Sequence, residues 1–184
     1  ADAFRTAMAA LPTPPPSQPP HWPYWQKNMQ VMAQSRPPET FWEWPAVRHT
    51  MTVDHFPMGH QLLELQSSAD WRRWEAALAH AENEHHAKNL INQAFCLKRY
   101  EDVVGVKVEQ LRSVYEFGAG YGAMRHLIAR LGFEGEYFVT DLKEFEILQR
   151  WWLGTHGLEV THVPGPVHAD LMIGGPPCQP FSQL

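Results

Sequence analysis

A turn with three glycines, set between an apolar strand and an amphipathic helix, constrains the fold of this chain more than any other feature. The glycines are Gly118, Gly120 and Gly122, and the four residues before them are apolar or aromatic except for one acid. After the turn, apolar side chains recur at helical spacing, at Ala123, Met124, Leu127, Ile128 and Leu131. Three glycines in five positions remove the side chains that would keep a ligand away from the backbone. The turn is therefore predicted to aim free N–H groups and the positive end of the helix at a ligand.

An acid at the tip of the next predicted strand extends this pattern. That strand is predicted over Glu136–Thr140, and Asp141 follows it directly. A carboxylate in this place can bind the two hydroxyls of a ribose, so the pattern indicates a nucleoside-cofactor site at the carboxyl edge of a parallel sheet. The spacing Gly118-x-Gly120-x-x-Ala123 also satisfies the loose dinucleotide fingerprint. A nicotinamide or flavin enzyme therefore stays open, as does a tight turn that holds no ligand.

Two residues favour S-adenosylmethionine (SAM) over a dinucleotide. Glu116 lies two residues before the first glycine, where its carboxylate can attract the cationic amino group or the sulfonium of SAM. The same carboxylate would repel a pyrophosphate. Gly122 opens the turn further, at the place where a methionine tail would lie against the backbone.

These residues resemble a known class of enzymes. Glu116-x-Gly118-x-Gly120-x-Gly122, followed by an acid after the second strand, resembles the first two motifs of class I SAM-dependent methyltransferases. A longer stretch, roughly 87–173, is similar to a bacterial group of sugar O-methyltransferases. The matching positions are 89–95, 116–122, 130–133, Tyr137, 141–142, 144–145, 148–149 and Leu153. The resemblance implies SAM as cofactor and a sugar or another small-molecule hydroxyl as methyl acceptor. It implies the following residues around the cofactor: Glu116, Phe117, Gly118, Gly120, Gly122, Asp141 and Leu142.

A cysteine motif near residue 184 points to a different acceptor. Residues 170–182 resemble the Pro-Cys-Gln loop of DNA cytosine-5 methyltransferases, and the glycine motif lies about sixty residues earlier, as in that family. The matching positions are Asp170, Gly175, Pro177, Cys178, Gln179, Phe181 and Ser182. The resemblance implies that Cys178, between Pro177 and Gln179, adds as a thiolate to C6 of a cytosine flipped out of DNA. DNA is therefore the alternative partner.

Two departures from the cytosine-5 family keep the acceptor open. More than a hundred residues precede the glycine motif here, whereas that family begins close to it. The glutamate loop, the arginine pair and the target-recognition region of the family have no counterpart before Leu184. We therefore expect a fragment of a longer protein, and transfer to a small-molecule hydroxyl stays the first interpretation.

Composition narrows the class of protein. The chain has 184 residues, of which 44% are apolar, and this predicts one domain with an N-terminal extension. A net charge of −5 argues against a broad nucleic-acid-binding surface. Two cysteines, Cys96 and Cys178, make no disulfide framework and favour a reducing, cytoplasmic location. No apolar run approaches the length of a membrane span, and no metal site is expected.

Two regions are predicted before the glycine turn. Residues 1–66 form a proline- and aromatic-rich arm, since residues 1–45 hold ten of the sixteen prolines, which predicts irregular structure without long helices. The many tryptophans of the arm favour docking onto a domain over a free, partner-binding role. Residues 67–112 form a helical cap with one long helix or two shorter ones, which begin at the capping residues 67–70 and end before Gly105.

The third region, residues 113–184, is predicted to be a SAM-binding α/β half-domain. Strands that alternate with helices imply a doubly wound, Rossmann-like parallel sheet. The predicted elements are strands at Ser113–Phe117, Glu136–Thr140, 158–163 and 170–174, with helices at 122–131 and 143–153. We expect the half-domain to stop after the fourth strand.

Several other side chains are weaker candidates. Glu82 and His86 have i, i+4 spacing, but a solvated polar face explains them better than a metal site does. His126 and His168 could act as bases only if folding brings them to an acceptor, and His168 is the better placed. Three tryptophans could wall an acceptor pocket, although core packing is favoured: Trp42, Trp44 and Trp71. A non-catalytic or NAD-binding module of the same fold is the alternative from a different class.

Overall fold

The structure, a computed structural model, describes residues 1–18, 21–53 and 57–174. The helices of these residues are α1 (Asp2–Ala9), α2 (Trp22–Ser35), α3 (Pro45–Thr50), α4 (Gly59–Gln66), α5 (Trp71–Leu78), α6 (Glu84–Val104), α7 (Ala123–Arg130) and α8 (Lys143–Thr155). Two short 3-10 helices cover Pro38–Glu43 and Val108–Gln110. The strands are β1 (Ser113–Phe117), β2 (Glu136–Thr140), β3 (Thr161–His162) and β4 (Leu171–Gly174).

The four strands form one sheet in the order β3-β2-β1-β4. All three strand pairs of the described residues are parallel. With helices flanking the sheet, the protein is an α/β structure compatible with a Rossmann-like fold. The predicted bounds of β1 and β2 are confirmed, whereas β3 is much shorter than the predicted 158–163 and β4 begins one residue later than predicted.

One face of the sheet carries the apolar core of the α/β part. Val114 and Tyr137 are neighbours across β1 and β2, and both are buried in a cluster with helices α5, α6 and α7. Because side chains alternate along a strand, Glu116 lies on the same face as Val114, nearer the carboxyl end. The side chain of Glu116 is therefore directed toward the helices at the end of the strand where the glycine turn begins.

The expectation of an arm without long helices is wrong. Helix α2 has 14 residues, and its only proline, Pro23, lies in the first turn. A proline there loses no helical hydrogen bond and has a suitable φ, so it favours helix formation. Pro45 occupies the same kind of position in α3. The number of prolines therefore mattered less than their position.

Aromatic side chains of residues 1–53 pack onto α8, so the prediction that this region docks onto a domain is confirmed. Trp25, Phe41 and Trp44 are buried in one cluster with Phe145 and Trp152 of that helix. Polar contacts add to the same interface: the amides of Gln26 and Gln30 on α2 donate to the Glu144 carboxylate at 3.0 and 2.9 Å.

The helical cap contains two helices where one or two were predicted. Helix α6 begins after Asn83, whose side chain accepts a hydrogen bond from the N–H of His86 at 2.9 Å. It ends at Gly105, which adopts the left-handed conformation with φ +74°. The capping role predicted for residues 67–70 is wrong for the two serines there. Their hydroxyls donate to carbonyl groups at the end of α4 instead.

Within the described parts of the chain, no helix combines the length and the apolar character needed to cross a bilayer.

Candidate functional site

The three glycines of the turn all adopt the left-handed backbone conformation. Gly118, Gly120 and Gly122 have φ values of +74°, +61° and +100°, where side chains are strained. Their surroundings differ. A Cβ at Gly122 would lie 2.9 Å from the side chain of Leu153, whereas a Cβ at Gly118 would meet open space. Gly122 therefore serves the packing of the turn on α8, and Gly118 leaves its backbone open to a ligand.

The N–H groups of the three glycines are not free. The N–H of Gly118 donates to the carbonyl of Thr140 at 2.9 Å, and the N–H of Gly122 donates to the carbonyl of Ala119 at 2.9 Å. The N–H of Gly120 donates to the carboxylate of Asp141 at 3.0 Å. The three glycines therefore do not supply the free N–H groups predicted for the turn, because each of their N–H groups holds the turn against β2 or within itself.

Asp141 fastens the tip of β2 to the turn. Its Oδ2 accepts from Gly120 and from the Gln149 amide at 2.9 Å, and its Oδ1 accepts from the N–H of Leu142 at 2.8 Å. Burial raises the pKa of Asp141 to about 7, although these three donors favour the charged form. The predicted contact of Asp141 with a ribose stays a prediction, and Oδ1 has the acceptor capacity for it.

Gln149 of α8 is a site residue that the sequence interpretation left out. Its amide donates both to Asp141 and to the carbonyl of Gly120, at 2.9 and 2.8 Å. The side chain is completely buried. Gln149 lies beside Leu148 and Trp152 on the apolar face of the predicted helix. This position could have indicated a site residue, because a buried amide needs hydrogen-bond partners.

Glu116 is a buried carboxylate at the bottom of a cleft. Only 3% of its surface is exposed, and the Tyr137 hydroxyl donates to its Oε2 at 2.6 Å. Among the described residues no lysine, arginine or histidine forms an ion pair with it. Burial raises the pKa of Glu116 to about 7, and the charge of Asp141 adds to this, while the Tyr137 hydrogen bond opposes it.

The cleft lies between the glycine turn, helix α6 and the segment that follows α3. Its walls are Thr50, Met51, Val53, Asn89, Asn92, Gln93, Glu116, Gly118, Ala119, Gly120, Tyr121 and Ala123. Three of the seven residues predicted around the cofactor therefore line it. Gly122, Asp141 and Leu142 lie behind or beside the turn, and Phe117 is 54% exposed at the end of β1. The cavity is about 60 Å³, whereas sites for small ligands commonly occupy several hundred.

Asn89 connects the walls of the cleft and was also not predicted as a site residue. Its amide donates to the carbonyl of Met51 at 2.6 Å and to the hydroxyl of Tyr121 at 2.8 Å. Its Oδ1 accepts from the N–H of Val53 at 3.0 Å. The predicted helix from 89 to 95 thus contributes a buried amide that joins α6 to the residues after α3.

The predicted catalytic residues Pro177, Cys178 and Gln179 lie outside the described residues. Strand β4, which precedes them, is paired with β1 so that Gly174 is opposite Phe117. The carboxyl ends of β1 and β4 therefore adjoin each other, next to the glycine turn.

His86 does not lie on a solvated face, so that interpretation is wrong for His86, whereas Glu82 is exposed. His86 and His126 are both buried, with ring centroids 5.2 Å apart, and the ring of Trp42 stacks on His86. Burial lowers the pKa of His86 to about 4 and that of His126 to about 3. Neither residue lines the cleft. His168 is exposed before β4.

Two weaker candidates from the sequence, a metal site and a pocket walled by tryptophans, are not found at the cleft among the described residues. Within the described residues, no three side chains of histidine, cysteine, aspartate or glutamate are grouped so that they could hold a metal ion. Trp42 and Trp44 are core residues and Trp71 is partly buried, and none of the three lines the cleft.

Comparison with known proteins was made at three levels. No family model matches the chain, and no match was found among curated proteins or among solved structures.

Proposed function

We propose that this protein binds SAM in the cleft beside the glycine turn and transfers its methyl group to an acceptor. The observation that carries the proposal is the carboxylate of Glu116, which is buried, lines the cleft and has no cationic partner among the described residues. A buried unpaired charge is costly, and a ligand with a positive charge would relieve that cost. SAM has two such groups, an ammonium and a sulfonium.

The same geometry disfavours a dinucleotide. Pyrophosphate binding at a glycine turn depends on backbone N–H groups that are free to donate. Here the N–H groups of Gly118, Gly120 and Gly122 donate within the protein. A pyrophosphate at this turn would also face Glu116, so an anionic ligand gains little and is repelled.

The residues of the turn fit SAM in defined roles. Glu116 would bind the amino group or the sulfonium region, and the open space beside Gly118 would admit the ligand to the backbone. Asp141 would bind ribose hydroxyls through the remaining capacity of its carboxylate, with Gln149 keeping that carboxylate in place. When bound, SAM supplies an electrophilic methyl carbon.

The first proposed acceptor is a sugar or another small-molecule hydroxyl. This follows from the resemblance over roughly 87–173, which includes the cleft residues of α6 and of the turn. In the reaction a bond would form between the acceptor oxygen and the methyl carbon while the carbon–sulfur bond breaks and its electron pair stays on sulfur, and a base near β4 would take the hydroxyl proton. The protein's contribution would be to hold the acceptor in line with that bond.

DNA cytosine is the second proposed acceptor, and the motif around Cys178 favours it. In that reaction the Cys178 thiolate adds to C6, C5 takes the methyl group, and the C5 proton and the thiolate then leave. A methyl-transfer assay from labelled SAM, with DNA and with sugar acceptors, separates the two. If Cys178→Ser keeps full transfer to the acceptor, the cytosine proposal is wrong.

Calorimetric titration with SAM tests the binding site itself. We expect heat with SAM and none with NAD. Glu116→Gln should weaken SAM binding by roughly thirtyfold, since loss of a desolvated charge pair costs about 2 kcal/mol or more. Glu144→Gln is the matched control, because Glu144 is equally buried but contacts Gln26 and Gln30 away from the cleft.

Three results would contradict the proposal. The first is an absence of heat with SAM for the folded protein. The second is preferential binding of NAD. The third is Glu116→Gln binding SAM as tightly as the unchanged protein does.

A further inference from the structure

The residues that follow α3 lie across the cleft. Residues 51–53, called the strap below, follow the last turn of that helix and supply two of the cleft walls, Met51 and Val53. The side chain of Met51 lies directly on the glycine turn, with its Cγ 3.2 Å from the position that a Cβ of Gly120 would take. The strap therefore covers the turn at Gly120, next to the open backbone of Gly118.

Asn89 holds the strap at both of its ends. The Asn89 amide donates to the carbonyl of Met51 at 2.6 Å, and its Oδ1 accepts from the N–H of Val53 at 3.0 Å. Asn89 is itself buried and is fixed by the hydroxyl of Tyr121, which belongs to the glycine turn segment. The strap, α6 and the turn are thus joined through a single side chain.

The cleft beneath the strap is too small for the proposed ligand. Its volume of about 60 Å³ holds two or three water molecules, whereas an adenosyl group with a methionine tail needs several hundred. A movement of the whole of α3 would be a costly way to enlarge the cleft, because its residues Ala46 and Val47 are completely buried. Release of the strap from Asn89 is a local change that breaks the hydrogen bonds to Met51 and Val53 and separates the Met51 side chain from the apolar cluster on which it packs.

We propose that the strap is a closing segment of the SAM site, with Asn89 as its latch, and that it lifts from the glycine turn before SAM enters. The identity of the ligand, SAM, rests on the proposed function, whereas the movement of the strap does not. In the closed form Met51 occupies the approach to Gly120, so only the fraction of molecules with a lifted strap binds ligand. The measured affinity is the affinity of the open form reduced by that fraction.

A binding experiment tests the strap directly. Met51→Ala removes the side chain that covers the turn, and SAM should then bind roughly three- to tenfold more tightly, because the closed form loses a contact that the open form lacks. Met32→Ala is the matched control, since Met32 is a partly buried methionine that packs on the same apolar cluster as Met51 but does not line the cleft. It should leave the affinity unchanged. Unchanged or weaker binding of SAM by Met51→Ala overturns the proposal.

A second measurement needs no nucleoside. Ala119 lines the cleft, so Ala119→Cys, with Cys96 and Cys178 replaced by serine, places a thiol beneath the strap. A small thiol reagent should label it several-fold faster when Met51→Ala is added, and circular dichroism would confirm that both proteins are folded. If no variant binds SAM or NAD, the proposed function is wrong, and the labelling rates alone then test whether the strap closes the cleft. Faster labelling then supports it, and equal rates overturn it.

Discussion

Alanine substitutions at three glycines separate the packing role of the turn from its role at the cleft. Gly122, Gly118 and Gly105 all have positive φ, so each alanine adds conformational strain of about 1–2 kcal/mol. At Gly122 the new Cβ would also lie 2.9 Å from the side chain of Leu153, which is buried in the core. Such overpacking adds about 1–3 kcal/mol. Neither Gly118 nor Gly105 has a heavy atom within 4 Å of the new Cβ.

The expected results follow from this difference. Gly122→Ala should lower the unfolding free energy by about 3 kcal/mol, and Gly118→Ala and Gly105→Ala by about 1 kcal/mol each. For a chain of this length, those losses correspond to Tm decreases of about 10 °C and about 3 °C. Thermal and urea unfolding monitored by circular dichroism give both quantities.

SAM binding distinguishes Gly118 from Gly105, the two glycines at which a new Cβ would meet open space. Gly118 and Gly105 have the same φ of +74°, but only Gly118 lines the cleft. Gly118→Ala should weaken SAM binding at least tenfold, whereas Gly105→Ala should leave it unchanged. Equal stability losses at Gly122 and Gly105 would refute the packing argument. Unimpaired SAM binding by Gly118→Ala would refute the argument that the ligand approaches the backbone there.

Three further predictions concern pH and helix capping. Burial lowers the pKa of His86 to about 4, so the stability that its neutral form gives is complete above pH 6.5 and is lost as the pH falls toward 4. This loss amounts to about 3 kcal/mol, and His86→Gln should lack it when urea unfolding is compared between pH 7.5 and 4.5. The raised pKa of Glu116, about 7, means that SAM affinity should increase as the pH rises through 7 and then level off, and calorimetry should show no such dependence for Glu116→Gln. Asn83→Ala removes the cap of α6 and should cost about 1 kcal/mol in urea unfolding without changing SAM affinity.

The central part of the fold could be predicted because local patterns determine it. The bounds of β1 and β2 followed from short apolar runs that end at a glycine and at an acid. The turn at Gly118 and Gly120 followed from the cluster of glycines, whose lack of side chains permits the positive φ values found there. The position of Glu116 at the cleft followed from its place in β1.

Other features depend on contacts between distant segments and could not be predicted in this way. The N–H of Gly120 is taken by Asp141, which is fixed in turn by Gln149, and these residues are far apart in the sequence. The burial of His86 depends on α7 and on Trp42, so the composition of α6 gave no sign of it. In the N-terminal region, the number of prolines misled because a proline in the first helical turn is favourable.

The Glu144 contacts have a consequence for any attempt to shorten the protein. Helix α8 carries Gln149, whose amide donates to the carbonyl of Gly120 in the glycine turn, and side chains from the first fifty residues pack against this helix. Deleting those residues would expose the apolar side chains of Phe145 and Trp152 and would leave the buried Glu144 carboxylate without its two amide donors. The first fifty residues thus support α8, and a protein trimmed to the sheet would hold Gln149, and with it the glycine turn, less firmly.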